Sequence, residues 1–307
     1  MTSSITRRSV QCIVCDGGSW VKLYRAQDHH YGNPGRFQLV RCSSCGLASI
    51  DPLPSEEELS SYYPPSYYAH SSFDVPSRSR QLLNKLLLSD ITTKDPQFPK
   101  PGRMLDVGCG TGIFLYQMQQ KGWKVQGVEP DPAAVEIGRQ HGIEMFCGTL
   151  EQADFPAASF DYVRLNHSFE HIRDPIPVLC EIRRILRPDG KLFIAVPDFA
   201  STTARWFGEY WWFLGLPVHV FQYSSKTLPA LLNRYGFEVE RIHHNSHFGP
   251  LLGSLQILLN RRRDGIRSTG LLTDFGGFRV LGNWAATIID LIGTGHALEV
   301  TAKPRPI

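Results

Sequence analysis

The chain has 307 residues and a formal net charge of +3, with 42% hydrophobic and 20% charged residues. At ~100–200 residues per domain that allows one large domain with a small satellite and a sizeable core, and the composition excludes disordered, fibrous and disulfide-dense classes. The nearest approaches to basic clusters, Arg7-Arg8 and Arg261-Arg262-Arg263, announce no broad phosphate-binding face, so nucleic acid is permitted as a partner but not favoured.

Taken from the N-terminus, a polar start without the apolar core of a signal peptide, and the lack of any apolar run near the ~18 residues of a membrane span, place the chain in the cytoplasm. Seven cysteines fit a reducing compartment. Cys12-Ile-Val-Cys15 and Cys42-Ser-Ser-Cys45 have metal-ligand spacing and bracket 26 residues, longer than the usual run of about fifteen to twenty. His29 and His30 in that loop are alternative ligands. Four thiolates leave no open position for water, so a structural zinc is expected rather than a catalytic one. The sequence therefore divides into a zinc-binding module over 1–50, a Pro/Tyr-rich linker over 51–78 and a large domain from 79, opening with apolar residues at helical spacing over 79–88.

After Gly102, β-prone runs alternate with helical ones: 104–107, 113–120, 125–128, 133–139, 162–165, 178–186 and 192–196. Such alternation predicts an α/β fold, a parallel sheet with helices on both faces. Leu186-Arg-Pro-Asp-Gly190 is expected as a turn between helix and strand. Further on come a helix over 228–234, a strand over 237–242 and a terminal strand over 297–302. Between the last two, a helical insertion at about 249–293 carries two apolar-faced helices, 251–259 and 280–292. They pack on the sheet, or form a lid, a face for a homo-oligomer or a shallow membrane contact.

Asp106-Val-Gly-Cys-Gly-Thr-Gly112 follows a predicted strand and opens a predicted helix, where a glycine turn lets backbone approach a ligand. Glu129 arrives about twenty residues later, the spacing at which a carboxylate binds ribose hydroxyls. Dinucleotides and S-adenosylmethionine both need these features. The dinucleotide fingerprint ends Gly-x-x-Gly, which this turn does not. Asp106 at the crevice would also repel a pyrophosphate while attracting the ammonium of S-adenosylmethionine.

Leu105-Asp-Val-Gly-Cys-Gly-Thr-Gly112, Gly127-Val-Glu-Pro-Asp131, Phe160-Asp-Tyr-Val163 and Leu186-Arg-Pro-Asp-Gly190 resemble the successive motifs of class I S-adenosylmethionine-dependent methyltransferases. The four-cysteine module and Tyr-rich linker are similar to those of bacterial members that modify sugars in glycan and antibiotic pathways. The resemblance implies a Rossmann-like seven-stranded sheet of order 3-2-1-4-5-7-6 with the last strand antiparallel. It implies that Gly108, Cys109, Gly110 and Gly112 line the methionine end, that Glu129 holds the ribose, that Thr149 and Leu150 flank the adenine and that Asn166 faces the sulfonium. Thr149 departs from the family's usual Asp.

In some relatives an acid-x-x-Glu-His run after the fourth strand binds a divalent ion. Here it reads His167-Ser-Phe-Glu170-His171, and Glu170 and His171 either cap the segment and shape the pocket or transfer a proton. The aromatic stretches 206–213 and 217–223 lie where the resemblance puts the acceptor. His219 among them is the expected general base, or else a structural histidine of an aromatic core. The implied function is methyl transfer to a small molecule or glycan by in-line displacement. An RNA methyltransferase whose zinc module reads RNA, and a cofactor-binding scaffold without activity, are the alternatives.

Overall fold

A computed structural model of the chain describes residues 11–64, 73, 101–263, 265–274 and 276–306. The expected helix over 79–88, and all of the linker after residue 64 except residue 73, lie outside these. The described chain begins with an antiparallel set, β1 (Trp20–Ala26), β2 (Phe37–Cys42) and β3 (Ala48–Asp51). There follows α1 (Glu56–Ser61), opened by a reciprocal Ser55–Glu58 capping box.

The predicted alternation then appears as β4 (Arg103–Val107), α2 (Ile113–Gln120), β5 (Lys124–Glu129), α3 (Pro132–Gln140), β6 (Glu144–Cys147), β7 (Phe160–Asn166), α4 (Pro175–Ile185) and β8 (Leu186–Pro197). Asp131 starts α3 by accepting from the Ala134 amide at 2.9 Å, with Pro132 in the first turn. β4 and β7 are almost continuously buried, as central parallel strands require, with the paired Asp106 and Arg164 the charged residues among their buried positions. The chain continues through α5 (Thr202–Phe207), β9 (Phe221–Gln222), α6 (Thr227–Arg234), β10 (Phe237–His244), α7 (Phe248–Leu259), the short α8 (Leu271–Asp274), α9 (Gly276–Leu291) and β11 (Ala297–Pro304).

The large sheet runs β6-β5-β4-β7-β8-β11-β10, with β11 antiparallel to both neighbours. Counted within this unit the order is 3-2-1-4-5-7-6, the Rossmann-like arrangement expected. One expectation is corrected. Leu186–Gly190 is not a free turn but the start of β8: Phe160 pairs with Leu186 and Tyr162 with Lys191. A step of two on β7 thus spans five on β8, and the surplus bulges out of register.

The smaller sheet is β1-β2-β3-β9, so its fourth strand comes from the far side of the sequence: Ala48 pairs with Gln222 and Ser49 with Phe221. Leu39, Leu47 and Ile50 belong to the same apolar cluster as Leu165, Phe169, Trp211 and Tyr223. The two sheets therefore share one core. α7 and α9 pack on each other, the Phe248 amide donating to Asn283 Oδ1 at 2.8 Å. α7 also meets the aromatic turn, where the Trp212 amide donates to Ser254 Oγ at 2.9 Å. No helix among the described residues is long and apolar enough to cross a membrane.

Candidate active site

The glycine turn leaves β4 at the carboxyl edge of the sheet and leads into α2. Gly108, Gly110 and Gly112 all have positive φ, 72°, 55° and 77°, which side-chain-bearing residues rarely adopt. At Gly108 a Cβ would also come within 2.5 Å of Ser168 Cβ. Glu129, buried at the end of β5, anchors the turn: its carboxylate accepts from the Gly110 amide at 2.9 Å and the Asp131 amide at 3.1 Å. Burial raises its pKa, with Asp131 and Asp106 adding to the rise against those two amides. An ionised carboxylate offers about four lone-pair sites, so each oxygen keeps capacity for a ligand hydroxyl. Cys109 is part of the turn, and burial pushes its thiol well up, away from nucleophilic behaviour. Thr149 lies exposed at the rim, its amide donating to Gln152, while the Leu150 side chain packs into the core.

Asp106 departs from expectation. Rather than standing open in the crevice, it is buried on β4, with Oδ2 bound by Arg164 Nη1 at 2.7 Å from the paired position on β7. The Arg164 guanidinium lies 3.9 Å from the Phe114 ring centre. Burial raises the Asp106 pKa and Arg164 opposes the rise. Asp106 Oδ1 has no hydrogen-bond partner among the described residues.

At the end of β7, Asn166 is followed by His167 in a left-handed backbone conformation, φ 52°, the kind of strain that concentrates at functional sites. The His167 amide donates to the Ala195 carbonyl at 2.8 Å and its ring stacks on Phe213. Its Nδ1 lies 3.5 Å from Glu170 Oε1. Glu170 is buried, and neither carboxylate oxygen has a hydrogen-bond partner among the described residues. His219 Nε2 is 4.0 Å from the same oxygen. His219 itself is enclosed: Nδ1 is 2.9 Å from the Phe213 carbonyl, and burial followed by neighbouring His171 lowers its pKa to about 3. His171 meets the Tyr63 hydroxyl at 2.7 Å and has its pKa lowered to about 4, chiefly by burial. Ligand atoms of Glu170, His171 and His219 lie within 4.8 Å of one another, close enough to share a cation.

A cavity of about 230 Å³ opens beside this segment, lined by Asn166, His167, Ala195, Asn245, His247, Ala297 and Glu299. Asn166, Ala195 and Glu299 sit side by side across β7, β8 and β11, the small Ala195 leaving the gap between its longer neighbours. Asn245 donates to Glu299 Oε1 at 2.7 Å. His247 Nδ1 accepts from the Gly249 amide at 3.1 Å, which leaves the ring proton on Nε2. Its pKa falls to about 4 through burial and then His167. His219 does not border this cavity; Asn245, His247 and Glu299, which do, were not evident from the sequence. The cavity and the glycine turn share the 166–168 segment: Ser168 donates to the Val107 carbonyl at 2.7 Å and packs against Gly108.

The four N-terminal cysteines form a separate cluster. Two matching knuckles, closed by Cys12 N to Gly17 O at 3.0 Å and Cys42 N to Leu47 O at 2.8 Å, bring all four Sγ atoms within 4.8 Å. The sulfurs stand 3.5 Å (Cys12–Cys45) and 3.6 Å (Cys15–Cys42) apart, far beyond the ~2.05 Å of a disulfide and close to the ~3.8 Å edge of a tetrahedron with zinc–sulfur bonds of about 2.3 Å. His29 and His30 turn away from them, their Nε2 atoms meeting the Glu209 and Trp212 carbonyls at 3.0 and 2.6 Å.

A family model described as a methyltransferase domain matches residues 74–242. The chain is 34% identical over 137 residues to a ubiquinone biosynthesis O-methyltransferase of Hahella chejuensis, covering 41% of this chain and 56% of that one. It is 34% identical over 154 residues to the enzyme of the same name from Haemophilus ducreyi, covering 46% and 63%. It thus spans roughly half to two thirds of these relatives' length. A solved structure of the Haloferax volcanii Trm112 methyltransferase activator with a methyltransferase shares the fold, with TM-score 0.50 and 17% identity over 75% of this chain and 95% of the matched one. With more than half its length matched by the family and its sheet in the expected order, the chain belongs to the class I S-adenosylmethionine-dependent methyltransferases.

Proposed function

We propose that the protein transfers a methyl group from S-adenosylmethionine to a hydroxyl of a small molecule or glycan-type acceptor held in the cavity at the ends of β7, β8 and β11. The observation that carries this reading is the shared 166–168 segment, which sets an open cavity against the glycine turn. The relatives named as O-methyltransferases support an oxygen nucleophile. Bound S-adenosylmethionine supplies a methyl group already activated by its sulfonium, so the protein must position two reactants, exclude water and remove one proton.

In this reading the 108–112 turn receives the methionine end, Glu129 the ribose, Thr149 and Leu150 the adenine rim, and Asn166 faces the sulfonium. The fit rests on the exposed backbone of a turn held at positive φ by Gly108, Gly110 and Gly112 and on the spare lone pairs of Glu129. The acceptor is gripped by complementary groups: Glu299 accepts from a hydroxyl and His247 donates through Nε2. His167, on the cavity wall with the Glu170 carboxylate behind it, takes the hydroxyl proton. This replaces the expectation of His219 as base; His219, its Nε2 4.0 Å from Glu170 Oε1, and His171 stand beside that carboxylate without hydrogen-bonding it. Zinc at Cys12, Cys15, Cys42 and Cys45 cross-links the two knuckles as a closed, structural site.

Part of the loop between the cysteine pairs is already engaged and not open to the RNA alternative, although Lys22, Arg25 and Arg41 stay exposed. His29 and His30 pack on the 209–212 turn, and Arg36 is spent on Glu209 and the Arg25 carbonyl. Calorimetric titration of S-adenosylmethionine tests the central claim: micromolar binding is expected, and its loss in Gly110→Arg and Glu129→Ala. No binding by the native chain sinks it. His167→Asn should keep cofactor affinity while transfer slows about 10²–10⁴-fold, the usual worth of a positioned base. Binding without transfer to any acceptor would leave the scaffold reading.

A further inference from the structure

α9 is apolar on two sides. Its inward side carries buried Ala286 and Ile289, together with Asp290, which accepts from the Ser246 amide at 2.7 Å. Its outward side carries Leu281, Trp284, Ile288 and Leu291, which are 67%, 70%, 61% and 81% exposed. Steps of three, four and three residues put these four on one stripe. Leu259, at the end of the packed neighbour α7, is 69% exposed. Single exposed leucines are ordinary, but nine of the twelve large exposed hydrophobics among the described residues fall between 255 and 292, a concentration that marks an interaction face.

The charges around that face have one sign in excess. Residues 248–295 contain five Arg, three Asp and neither Lys nor Glu; Arg267 is buried against Gln27, and Asp274 is exposed. Arg261, Arg262 and Arg263, all exposed, follow Leu259 after the buried Asn260, and Asp290 is turned inward. We propose that this face docks the enzyme on an anionic phospholipid surface, with the α9 stripe at the headgroup boundary and the three arginines on lipid phosphates. An amphipathic helix with an aromatic in its apolar stripe and basic flanks suits a lipid interface. A twofold pairing of two copies would instead set the same arginine-bearing face against itself. The docking does not depend on the acceptor or on methyl transfer.

The test is sedimentation of the full-length protein with vesicles of phosphatidylcholine alone or mixed equally with phosphatidylglycerol. Binding is expected to the anionic vesicles only, weakened by salt. Arg261→Gln/Arg262→Gln/Arg263→Gln should weaken it about a hundredfold, from about 1 kcal/mol per basic residue near the surface. Leu281→Glu/Ile288→Glu should abolish it while S-adenosylmethionine binding, read by calorimetry, is kept, showing that the variant is folded. No binding to anionic vesicles, or binding that neither variant changes, overturns the proposal. So does a dimer in light scattering that Leu281→Glu/Ile288→Glu dissociates, since the face would then belong to a second copy.

Discussion

Arg164→Met is the most informative single change to the region beneath the cofactor turn. It removes the only cation bonded to Asp106 in the described structure, along with the stacking of a guanidinium on Phe114. Breaking a buried pair by deleting one partner costs about 3–5 kcal/mol, because the remaining charge is left uncompensated, and Asp106 Oδ1 already lacks a partner. The pH dependence has a definite sign. Burial raises the Asp106 pKa in the folded protein and Arg164 restrains the rise, so losing Arg164 raises it further. A carboxyl whose folded pKa lies above its unfolded value favours the fold at low pH and weakens it as pH climbs through the folded value. The penalty of Arg164→Met should therefore be full at neutral pH and shrink as the medium is acidified. Asp106→Leu/Arg164→Met should recover most of the loss, leaving about 1 kcal/mol for the vanished stacking. Urea unfolding of the three proteins across pH measures all of this. A single-variant cost below about 1 kcal/mol, against the 3–5 expected for an orphaned buried charge, would refute the reasoning, as would a penalty that grows toward acid.

Two further outcomes follow from the titrating groups. Each of His171, His219, His247 and His296 is held by burial at a folded pKa of about 3 or 4, below the ~6.5 of the unfolded chain. Their stabilising effect is complete above about 6.5 and is lost as pH falls through the window toward 4, by roughly 3 kcal/mol per residue if they acted independently. A melting temperature that stays flat between neutral pH and that window would contradict this. The cysteine cluster should carry one zinc per chain by elemental analysis, and strong chelation or Cys42→Ser should lower the melting temperature. A metal-free preparation with unchanged melting would remove the metal from the account.

Where sequence spoke clearly, it did so through local periodicity. Strand–helix alternation announces the parallel sheet, whose order came from the motif resemblance, and the glycine turn is visible because positive φ demands glycine at three neighbouring positions. Side chains that meet across the sheet were hidden. Arg164 looked like an unremarkable residue of a buried strand until the β4–β7 register set it beside Asp106. The cavity joins Asn166, Ala195 and Glu299 from three strands with Asn245 just after a fourth, and nothing in any one segment announces their convergence. A usable signal did exist for His167, three residues before Glu170 at a strand's carboxyl end. The aromatic stretch was misleading for the opposite reason: Trp211, Phe213 and Tyr223 are rich in recognition surface by type but are consumed by the core.

That shared core explains how the N-terminal cysteine cluster bears on the segment behind the proposed base. Cys42 ends β2, and its knuckle leads directly into β3. There Ser49 Oγ and the Ile50 amide both donate to the Val220 carbonyl, at 3.0 and 3.2 Å. The Val220 amide in turn donates to the Glu170 carbonyl at 3.0 Å, and the Glu170 side chain lies 3.5 Å from His167. The links through Val220 are hydrogen bonds of 3.0–3.2 Å, so the knuckles fix the height at which the residue entering β9 holds the segment behind the proposed base. A zinc cluster that served only to fold an independent module would need none of these links. Its loss should consequently disturb His167 before it disturbs the glycine turn, which is anchored separately by Glu129 from β5.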